Sequence, residues 1–294
     1  MAKKPFTEYL TRELFEPLSQ GDVFYWKTTD TDPWKQLGIV ITADCDLAHG
    51  KFGGSLSYCP ILKFKDFLQL FWLSKDLANL VQKQAEKSAL SITKSRRINR
   101  PEYTEPIQNQ SLIKWLERRG IEGILDDIQE PIGKSRAILQ NDLELLNELI
   151  EATNSRDIVL QITTIAKARA PKPPMTPEET NKSMNAAWKL YLGKLKQLPG
   201  DLFFLNELSP THKEGYIVYL RRIAEMNPND IATNVIEQRV SKAVRVSQLR
   251  GAFKYRITQK LAAVFSDIGL PTDYEEMCLS TMNSIAAQLN ITSN

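Results

Sequence analysis

The sequence of 294 residues predicts an α+β fold in which a small β-barrel is split by a long helical insertion and followed by C-terminal helices. Short β-branched and aromatic runs, typical of strands, occur in two separate blocks, within residues 20–63 and 200–250. The hydrophobic spacing between these blocks is that of helices. Three strands alone form a poor sheet, whereas six can close a barrel without exposed edges. We therefore predict a split barrel domain, residues 1–63 plus 200–294, and a helical insertion domain, residues 64–199.

The first strand block begins after a predicted helix. Residues 6–18 have the apolar spacing of a short amphipathic helix. Strands are predicted at 22–26, 37–42 and 56–62, and their short connections favour antiparallel pairing. Pro60 lacks a backbone N–H, so it predicts that the third strand lies at an edge of the sheet or ends there.

Prolines interrupt the helical pattern of residues 64–199. The segment 91–106 contains two of them and is predicted to break the helices. The segment 170–179 contains four, which is typical of a stiff exposed linker. Thr176 and Glu179 then have the spacing of a capping box at the start of the next helix.

The second strand block follows the helices. Strands are predicted at 201–205, 216–220 and 243–247, and helices at 252–268 and 272–289. If these strands do not pair with the first block, the alternative is two independent α+β domains in series.

The composition excludes several function classes. Three cysteines without a paired motif, and two histidines, argue against a disulfide framework and a structural zinc site. Phosphate-loop, dinucleotide, zinc-protease and esterase motifs do not occur in the sequence. The N-terminus lacks the apolar region of a signal peptide, and no run reaches the roughly 18–20 residues of a membrane span. We expect a cytoplasmic protein without a cofactor or metal.

Four motifs resemble the MazF/PemK-like toxin family. They are GDVFYW at 21–26, QLGIVITADCDL at 36–47, LSYCPIL at 56–62 and AVRVSQLRGAFKYRITQKL at 243–261. The resemblance implies an SH3-like barrel, a homodimer and RNA cleavage without a metal, with Thr42 and Arg250 at the positions of the family's strand-end hydroxyl and late arginine. The family's catalytic arginine corresponds to Gln36 or Leu37 here, so an RNA endonuclease is the alternative prediction and not the leading one.

Four side chains that could carry chemistry follow the second predicted strand, in a predicted loop. His49 could activate the thiol of Cys45 as a nucleophile, with a carboxylate to orient the imidazole. The adjacent carboxylates of Asp44 and Asp46 would instead raise the pKa of that thiol. The other interpretations are a binding loop, or a structural turn in which Cys45 is buried and Asp46 fixes the backbone.

Residues 238–260, the basic segment, contain seven basic and no acidic side chains. The basic residues are Arg239, Lys242, Arg245, Arg250, Lys254, Arg256 and Lys260. Phe253 and Tyr255 lie among them, and cations with aromatic rings are typical of nucleic-acid binding. Alternatively, the acid-rich residues 122–151 cover this segment, or it is solvated surface.

The leading prediction is a non-catalytic interaction component of a bacterial toxin–antitoxin-like or phage-defence system. Residues 39–47 resemble a V-[IV]-[ST]-x-x-C-D-[IL] pattern of bacterial proteins, some of them encoded in phage-defence loci. We expect a protein partner or nucleic acid, bound through the basic segment, and the resemblance adds a homodimer. A nucleic-acid-binding regulator is a further alternative. Residues 94–100 form a second basic cluster in a predicted loop, and His212, in a predicted turn, is not expected to bind a metal.

Overall fold

The computed structural model describes residues 6–12, 15–99, 105–170, 176–266 and 272–288. The chain divides into two compact units. The first, here called the sheet unit, contains Met1–Ile61, Pro199–Lys213 and Val218–Asn294, and the second, the helical unit, contains Leu62–Leu198 and Glu214–Ile217. The predicted assignment of residues 64–199 as an inserted domain stays a prediction.

Nine strands of the described residues form one sheet. They are β1 (Tyr9–Leu10), β2 (Asp22–Trp26), β3 (Leu37–Val40), β4 (Leu56–Lys63), β5 (Leu202–Leu205), β6 (Tyr216–Tyr219), β7 (Ala224–Met226), β8 (Ile231–Ala232) and β9 (Ala243–Leu249). The order is β1-β9-β2-β3-β4-β6-β5, with β7 paired to β4 and β8 paired in parallel to β9.

The N-terminal and C-terminal strand blocks share this sheet. β2 pairs antiparallel with β9, with Val23 opposite Ser247 and Tyr25 opposite Val244. The predicted pairing between the blocks is therefore confirmed, and the alternative of two separate sheets is wrong. The sheet is antiparallel over most of its strands and curls into a half-barrel, so the protein has a mixed α+β fold. The SH3-like assignment stays a prediction.

One buried carboxylate connects the two ends of the strand order. Glu8, next to β1, is 6% exposed, and its oxygens accept hydrogen bonds from the backbone N–H of Asn206 at 2.6 Å and of Glu207 at 3.1 Å. The Asn206 amide donates a third at 2.7 Å. Because β1 and β5 are the outermost strands and Asn206 directly follows β5, Glu8 links the two edges of the half-barrel.

The apolar core of the sheet unit is contributed by both strand blocks. Its buried residues include Phe24, Val40, Leu56, Met226, Ile231 and Ala243, and Trp26 and Tyr58 pack against them. Sheet formation and core formation therefore depend on the same long-range contacts.

Two expectations for the first strand block are wrong. Of the predicted helix 6–18, the described residues 6–12 and 15–18 are not helical: Tyr9 and Leu10 form β1, opposite Leu249 and Gln248 of β9, and Phe15 has a φ of 69° that a helix does not allow. Strand pairing with a distant segment therefore decides the local structure here, and the amphipathic spacing does not. Residues 13–14 lie outside the described residues. Pro60 marks no edge either, because β4 lies between β3 and β6 in the sheet.

The helices largely follow the predicted periodicity. They are α1 (Asp44–Ala48), α2 (Phe64–Phe67), α3 (Ser74–Asn99), α4 (Asn109–Asp127), α5 (Lys134–Asn154), α6 (Ile158–Arg169), α7 (Pro177–Lys196), α8 (Gly251–Ser266) and α9 (Thr272–Gln288), with a π-helix at Leu68–Leu73 between α2 and α3. Buried leucines and isoleucines of α3, α4 and α5 form one core of the helical unit, and Leu68, Leu73, Ile165 and Tyr191 belong to a second. Within the described residues, no helix is both long and apolar enough to cross a membrane.

The capping box at Thr176 is confirmed. The helix break predicted within residues 91–106 does not include residues 91–99, which are helical. The Thr176 hydroxyl accepts from the Glu179 N–H, and the Glu179 carboxylate accepts from the Thr176 N–H. α3 continues to Asn99, so the expected loop at 94–99 is helical. Residues 100–104, 171–175, 267–268 and 289, on which parts of these predictions fall, lie outside the described residues.

Candidate functional site

Asp44, at the start of α1, is bound from two sides. Its carboxylate accepts from the Gln20 N–H and from the Lys254 ammonium, both at 2.7 Å. Burial raises the pKa of Asp44, but the bonds from Lys254 and Gln20 outweigh it and hold this pKa below its ordinary value. Asp44 therefore joins α1 to α8 as an ionised group. The sequence predicts a loop at residues 44–48. They form the short helix α1 instead, which is a little more than one helical turn.

The arrangement in which His49 activates the Cys45 thiol is not formed. Cys45 is exposed, and its Sγ lies 3.7 Å from an oxygen of Asp46. His49 ends α1, and within the described residues no side-chain hydrogen bond joins it to Cys45. The interpretation of Cys45 as a buried structural residue is wrong, since the five-residue helix turns it outward.

The two candidate ribonuclease residues have separate partners. The Thr42 hydroxyl accepts from the Ser57 N–H at 2.8 Å, which fastens the end of β3 to β4. Arg250 donates to the Thr7 hydroxyl at 2.9 Å. In the part of the chain that the structure describes, no hydrogen bond joins Thr42 to Arg250.

Three cations of the basic segment are neutralised by carboxylates of the same unit. The ion pairs are Lys242–Asp230 at 3.0 Å, Arg245–Asp22 at 3.4 Å and Lys254–Asp44 at 2.7 Å. Sequence reasoning did not assign these carboxylates, because each lies far from its cation or outside the basic segment. These three side chains stabilise the fold and do not form a free cationic patch.

Arg245 and Asp22 form a buried pair at the start of β2. Their side chains are 4% and 1% exposed. Arg245 also donates to the carbonyl oxygen of Glu16 at 2.8 Å. Burial raises the pKa of Asp22 to about 6, although hydrogen bonds from Ser19 and the charge of Arg245 oppose the shift. Arg245 is thus withdrawn from any surface contact.

The other cations of the segment remain at the surface. Among the described residues, no carboxylate pairs with Arg239, Arg250, Arg256 or Lys260; Arg256 donates to Gln259, and Lys260 to the Gly200 carbonyl. Tyr255, next to Arg256 in the sequence, is 64% exposed, and α8 contains no acidic residue. We call Arg250, Tyr255, Arg256 and Lys260 the α8 surface.

The acid-rich residues 122–151 find partners within the helical unit. Arg136 pairs with Glu122 at 2.7 Å and with Asp126 at 3.2 Å. Further pairs are Arg119–Asp127, Lys87–Asp142 and Lys167–Glu148. These contacts neutralise much of the negative charge locally, and masking of the basic segment by these acids stays a prediction.

His212 is part of a turn. Its Nδ1 lies 2.7 Å from the Ser209 hydroxyl and 3.1 Å from the Thr211 hydroxyl. Across residues 6–12, 15–99, 105–170, 176–266 and 272–288, no group of three or more His, Cys, Asp or Glu side chains is arranged to hold a metal ion.

An aromatic pocket in the sheet unit was missed by sequence reasoning. It is a cavity of about 310 Å³ lined by Trp26, Thr28, Trp34, Lys35, Tyr58, Pro60, Arg222 and Ala224. The signal in the sequence was three aromatic residues within or between strands of the first block. The sequence pattern assigns Trp26 and Tyr58 to strands and assigns no role to Trp34, and Arg222 comes from the other block through the β4–β7 pairing.

No family model, no curated protein and no solved structure matches this chain.

Proposed function

We propose that this protein is a non-catalytic interaction component that binds single-stranded nucleic acid through the α8 surface. The observation that carries the proposal is an exposed tyrosine, Tyr255, among three cations that have no carboxylate partner in the described residues. Cations supply the phosphate contacts, and an exposed ring can stack on a base. The 39–47 motif supports a place in a bacterial toxin–antitoxin-like or phage-defence system.

The separate hydrogen-bond partners of Thr42 and Arg250 support a non-catalytic role. Each side chain is held by a structural hydrogen bond, Thr42 to Ser57 and Arg250 to Thr7. The alternative of a metal-independent ribonuclease is tested by incubating the purified protein with mixed RNA in EDTA. We expect intact RNA; cleavage that is lost in Thr42→Ala would establish the ribonuclease instead.

The binding test is a salt titration with a charge-matched control. The variant Arg256→Glu/Lys260→Glu removes two contacts of the α8 surface. It should bind a fluorescent single strand at least about tenfold more weakly, and its log–log salt slope should be shallower by about 1.4.

The control Lys51→Glu/Lys213→Glu changes the net charge equally at two exposed lysines that are not part of α8. It should bind like the wild type, and both variants should unfold within about 0.5 kcal/mol of it. Equal losses in both variants would show that only net charge matters and would refute the α8 surface.

A protein partner is a second candidate, favoured by a different surface. Val235, Ile236 and Val240 are 63%, 75% and 88% exposed. Their backbone is held in place, because the Asn234 carboxamide oxygen accepts from the N–H groups of Ile236 and Glu237, both at 3.0 Å. A fixed, exposed aliphatic patch is typical of protein interfaces.

The simplest occupant of this patch is a second copy of the chain, as the family resemblance implies. Sedimentation velocity should then show a dimer that Ile236→Asp/Val240→Asp converts to a monomer. A monomeric wild type at about 100 μM would exclude a homodimer of useful affinity through this patch.

A further inference from the structure

The aromatic pocket has the size and lining of a small-ligand site. Its volume of about 310 Å³ is at the lower end of the usual range for ligand pockets, roughly 300–1,000 Å³. A single nucleobase fits such a volume, with its substituents directed out of the mouth of the pocket. None of the lining residues is acidic, and two, Lys35 and Arg222, are cationic.

The rings of the pocket are held by close packing. Trp26 and Tyr58 meet edge to face, with centroids 6.0 Å apart, and Phe24 contacts both from the core at 5.7 and 5.3 Å. Gly38 on β3 makes this arrangement possible, because a Cβ there would lie 2.4 Å from the Phe24 ring. The pocket wall is therefore fixed before a ligand arrives.

Arg222 supplies an unneutralised positive charge. Its guanidinium lies over the Trp34 ring, 4.5 Å from the centroid. No carboxylate among the described residues pairs with Arg222, whereas Lys35 is paired with Asp30 at 2.9 Å and the neighbouring Arg221 with Asp201 at 2.7 Å. The pocket thus offers a guanidinium that an anionic group can reach.

Two polar atoms of the rings are also unused. Within the described residues, the Trp26 indole N–H and the Tyr58 hydroxyl make no hydrogen bond. Burial raises the pKa of Tyr58, with Arg222 opposing the shift, so the phenol stays protonated and can donate. A ligand with acceptor atoms at its edge therefore has these two donors in the pocket lining.

We propose that this pocket binds a nucleotide, with the base against Trp26, Trp34 and Tyr58 and a phosphate on Arg222. Aromatic rings stack on every base, and a guanidinium binds phosphate through charge-assisted hydrogen bonds. The two lining cations disfavour a cationic ligand, which aromatic cages otherwise accept. This site is separate in its residues from the α8 surface and does not depend on it. The nucleotide is either a free mononucleotide or one unpaired nucleotide of a strand.

The first experiment is calorimetric titration of the full chain with AMP, UMP and the nucleoside adenosine. We expect a mononucleotide to bind with a Kd below about 1 mM, and adenosine at least about tenfold more weakly because it lacks the phosphate.

Arg222→Gln should weaken nucleotide binding about tenfold and leave adenosine binding unchanged. The matched control Arg221→Gln, one residue earlier and already paired with Asp201, should leave both unchanged. Absence of binding at about 5 mM by every nucleotide and by the strand below, or equal losses in both variants, would refute the proposal.

A second set of variants tests the base contact and the source of the nucleotide. Tyr58→Phe keeps the ring and removes the hydroxyl, so it should fold normally and weaken the binding of AMP and of adenosine to the same extent.

A five-nucleotide single strand separates the two sources of the nucleotide. If it binds at least tenfold more tightly than AMP, with the same loss in Arg222→Gln, the site belongs to a strand; comparable affinities would assign it to the free mononucleotide. Arg256→Glu/Lys260→Glu should leave AMP binding unchanged, so failure of the α8 proposal and failure of this one are distinguishable.

Discussion

Asp22 makes the stability of the fold depend on pH through a single buried carboxylate. Its Oδ2 accepts from the Ser19 N–H at 3.0 Å and from Arg245 at 3.4 Å, whereas its Oδ1 is buried without a hydrogen-bond partner. Burial is the largest cause of its raised pKa of about 6. A proton on the unpartnered oxygen relieves the cost of burying the charge.

The sign of the effect follows from the direction of the shift. The folded state binds this proton more tightly than the unfolded state, whose pKa is near 3.8. Stability therefore rises as the pH falls from above 6 toward 3.8, by up to about 3 kcal/mol relative to a chain without the group. In urea unfolding at pH 7.5, 6 and 4.5, the unfolding free energy of the wild type minus that of Asp22→Asn should rise as the pH falls, because carboxylates such as Asp44, whose pKa is lowered, act in the opposite direction in both proteins. A control variant, Asp46→Asn, should follow the wild type; parallel curves for wild type and Asp22→Asn would contradict the prediction.

Gly38 is the residue on which the ring packing of the sheet unit depends. The Cβ of an alanine would lie 2.4 Å from Cζ of Phe24 and 2.9 Å from Cδ2 of Tyr58. Gly38→Ala should therefore cost about 1–3 kcal/mol of unfolding free energy, as overpacking of a core does. The near-ultraviolet circular dichroism of the aromatic residues should change with it.

The matched control is Gly200→Ala, because a Cβ at Gly200 meets no atom within 4 Å. It should leave both the free energy and the spectrum within error of the wild type. An equal effect of both substitutions would mean that backbone flexibility, and not ring contact, decides the outcome.

At the scale of single elements, the extension of α3 to Asn99 predicts slow proteolysis at the C-terminal end of this helix. Lys94, Arg96 and Arg97 lie in the last turns of α3 and not in a loop. Trypsin requires an extended backbone, so cleavage after these residues should be slower than after Lys51, which is exposed in a turn. Mass spectrometry of early fragments measures this order. Early fragments that end at residue 96 or 97 would show that the end of α3 opens in solution.

Elements with strong periodicity or capping were predictable, and short elements were not. The helices of residues 64–199 and the Thr176 capping box follow from local signals, because each helix is encoded by side chains that are neighbours in sequence. The strands β1, β7 and β8 have only two or three residues and no period to detect. They exist because a distant strand offers hydrogen bonds, and that information is not local.

The same limit applies to the candidate site. The sequence shows that residues 238–260 are rich in Lys and Arg. It does not show which of these cations are paired, because only the fold brings Asp22, Asp44 and Asp230 to them. The aromatic pocket required Arg222 to reach Trp34 across the sheet. Residue types could be read from the sequence, and their partners could not.

At the scale of the whole molecule, Glu8 connects the edges of the half-barrel. Its carboxylate accepts three hydrogen bonds from Asn206 and Glu207. Glu8→Ala removes the acceptor of three partly buried hydrogen bonds and should cost about 1–3 kcal/mol of unfolding free energy. Hydrogen exchange should then accelerate at the backbone amides of residues 206 and 207.

The control for this prediction is Glu207→Ala, which removes a neighbouring carboxylate and keeps the backbone N–H that Glu8 binds. It should change the unfolding free energy by less than about 0.5 kcal/mol. A loss in Glu8→Ala no larger than in this control would mean that the edges of the sheet are held together by other contacts.

The strand order has a consequence for the newly synthesised chain. β9 lies between β1 and β2, and the Gln248 amide donates to the Gln20 carbonyl across 228 residues of sequence. On the ribosome, β2 emerges early and then waits for its neighbour while the helical residues are translated. At about 5–20 residues per second this delay is on the order of 10–40 s. During it, β2 has no hydrogen-bonded neighbour on the side that β9 later occupies, and the apolar core lacks Met226, Ile231 and Ala243, whereas the helices can already form their local contacts. Nascent chains arrested before residue 243 should therefore bind a chaperone that recognises exposed hydrophobic surface, and chains extended at the C-terminus by a linker long enough to bring β9 out of the exit tunnel should release it.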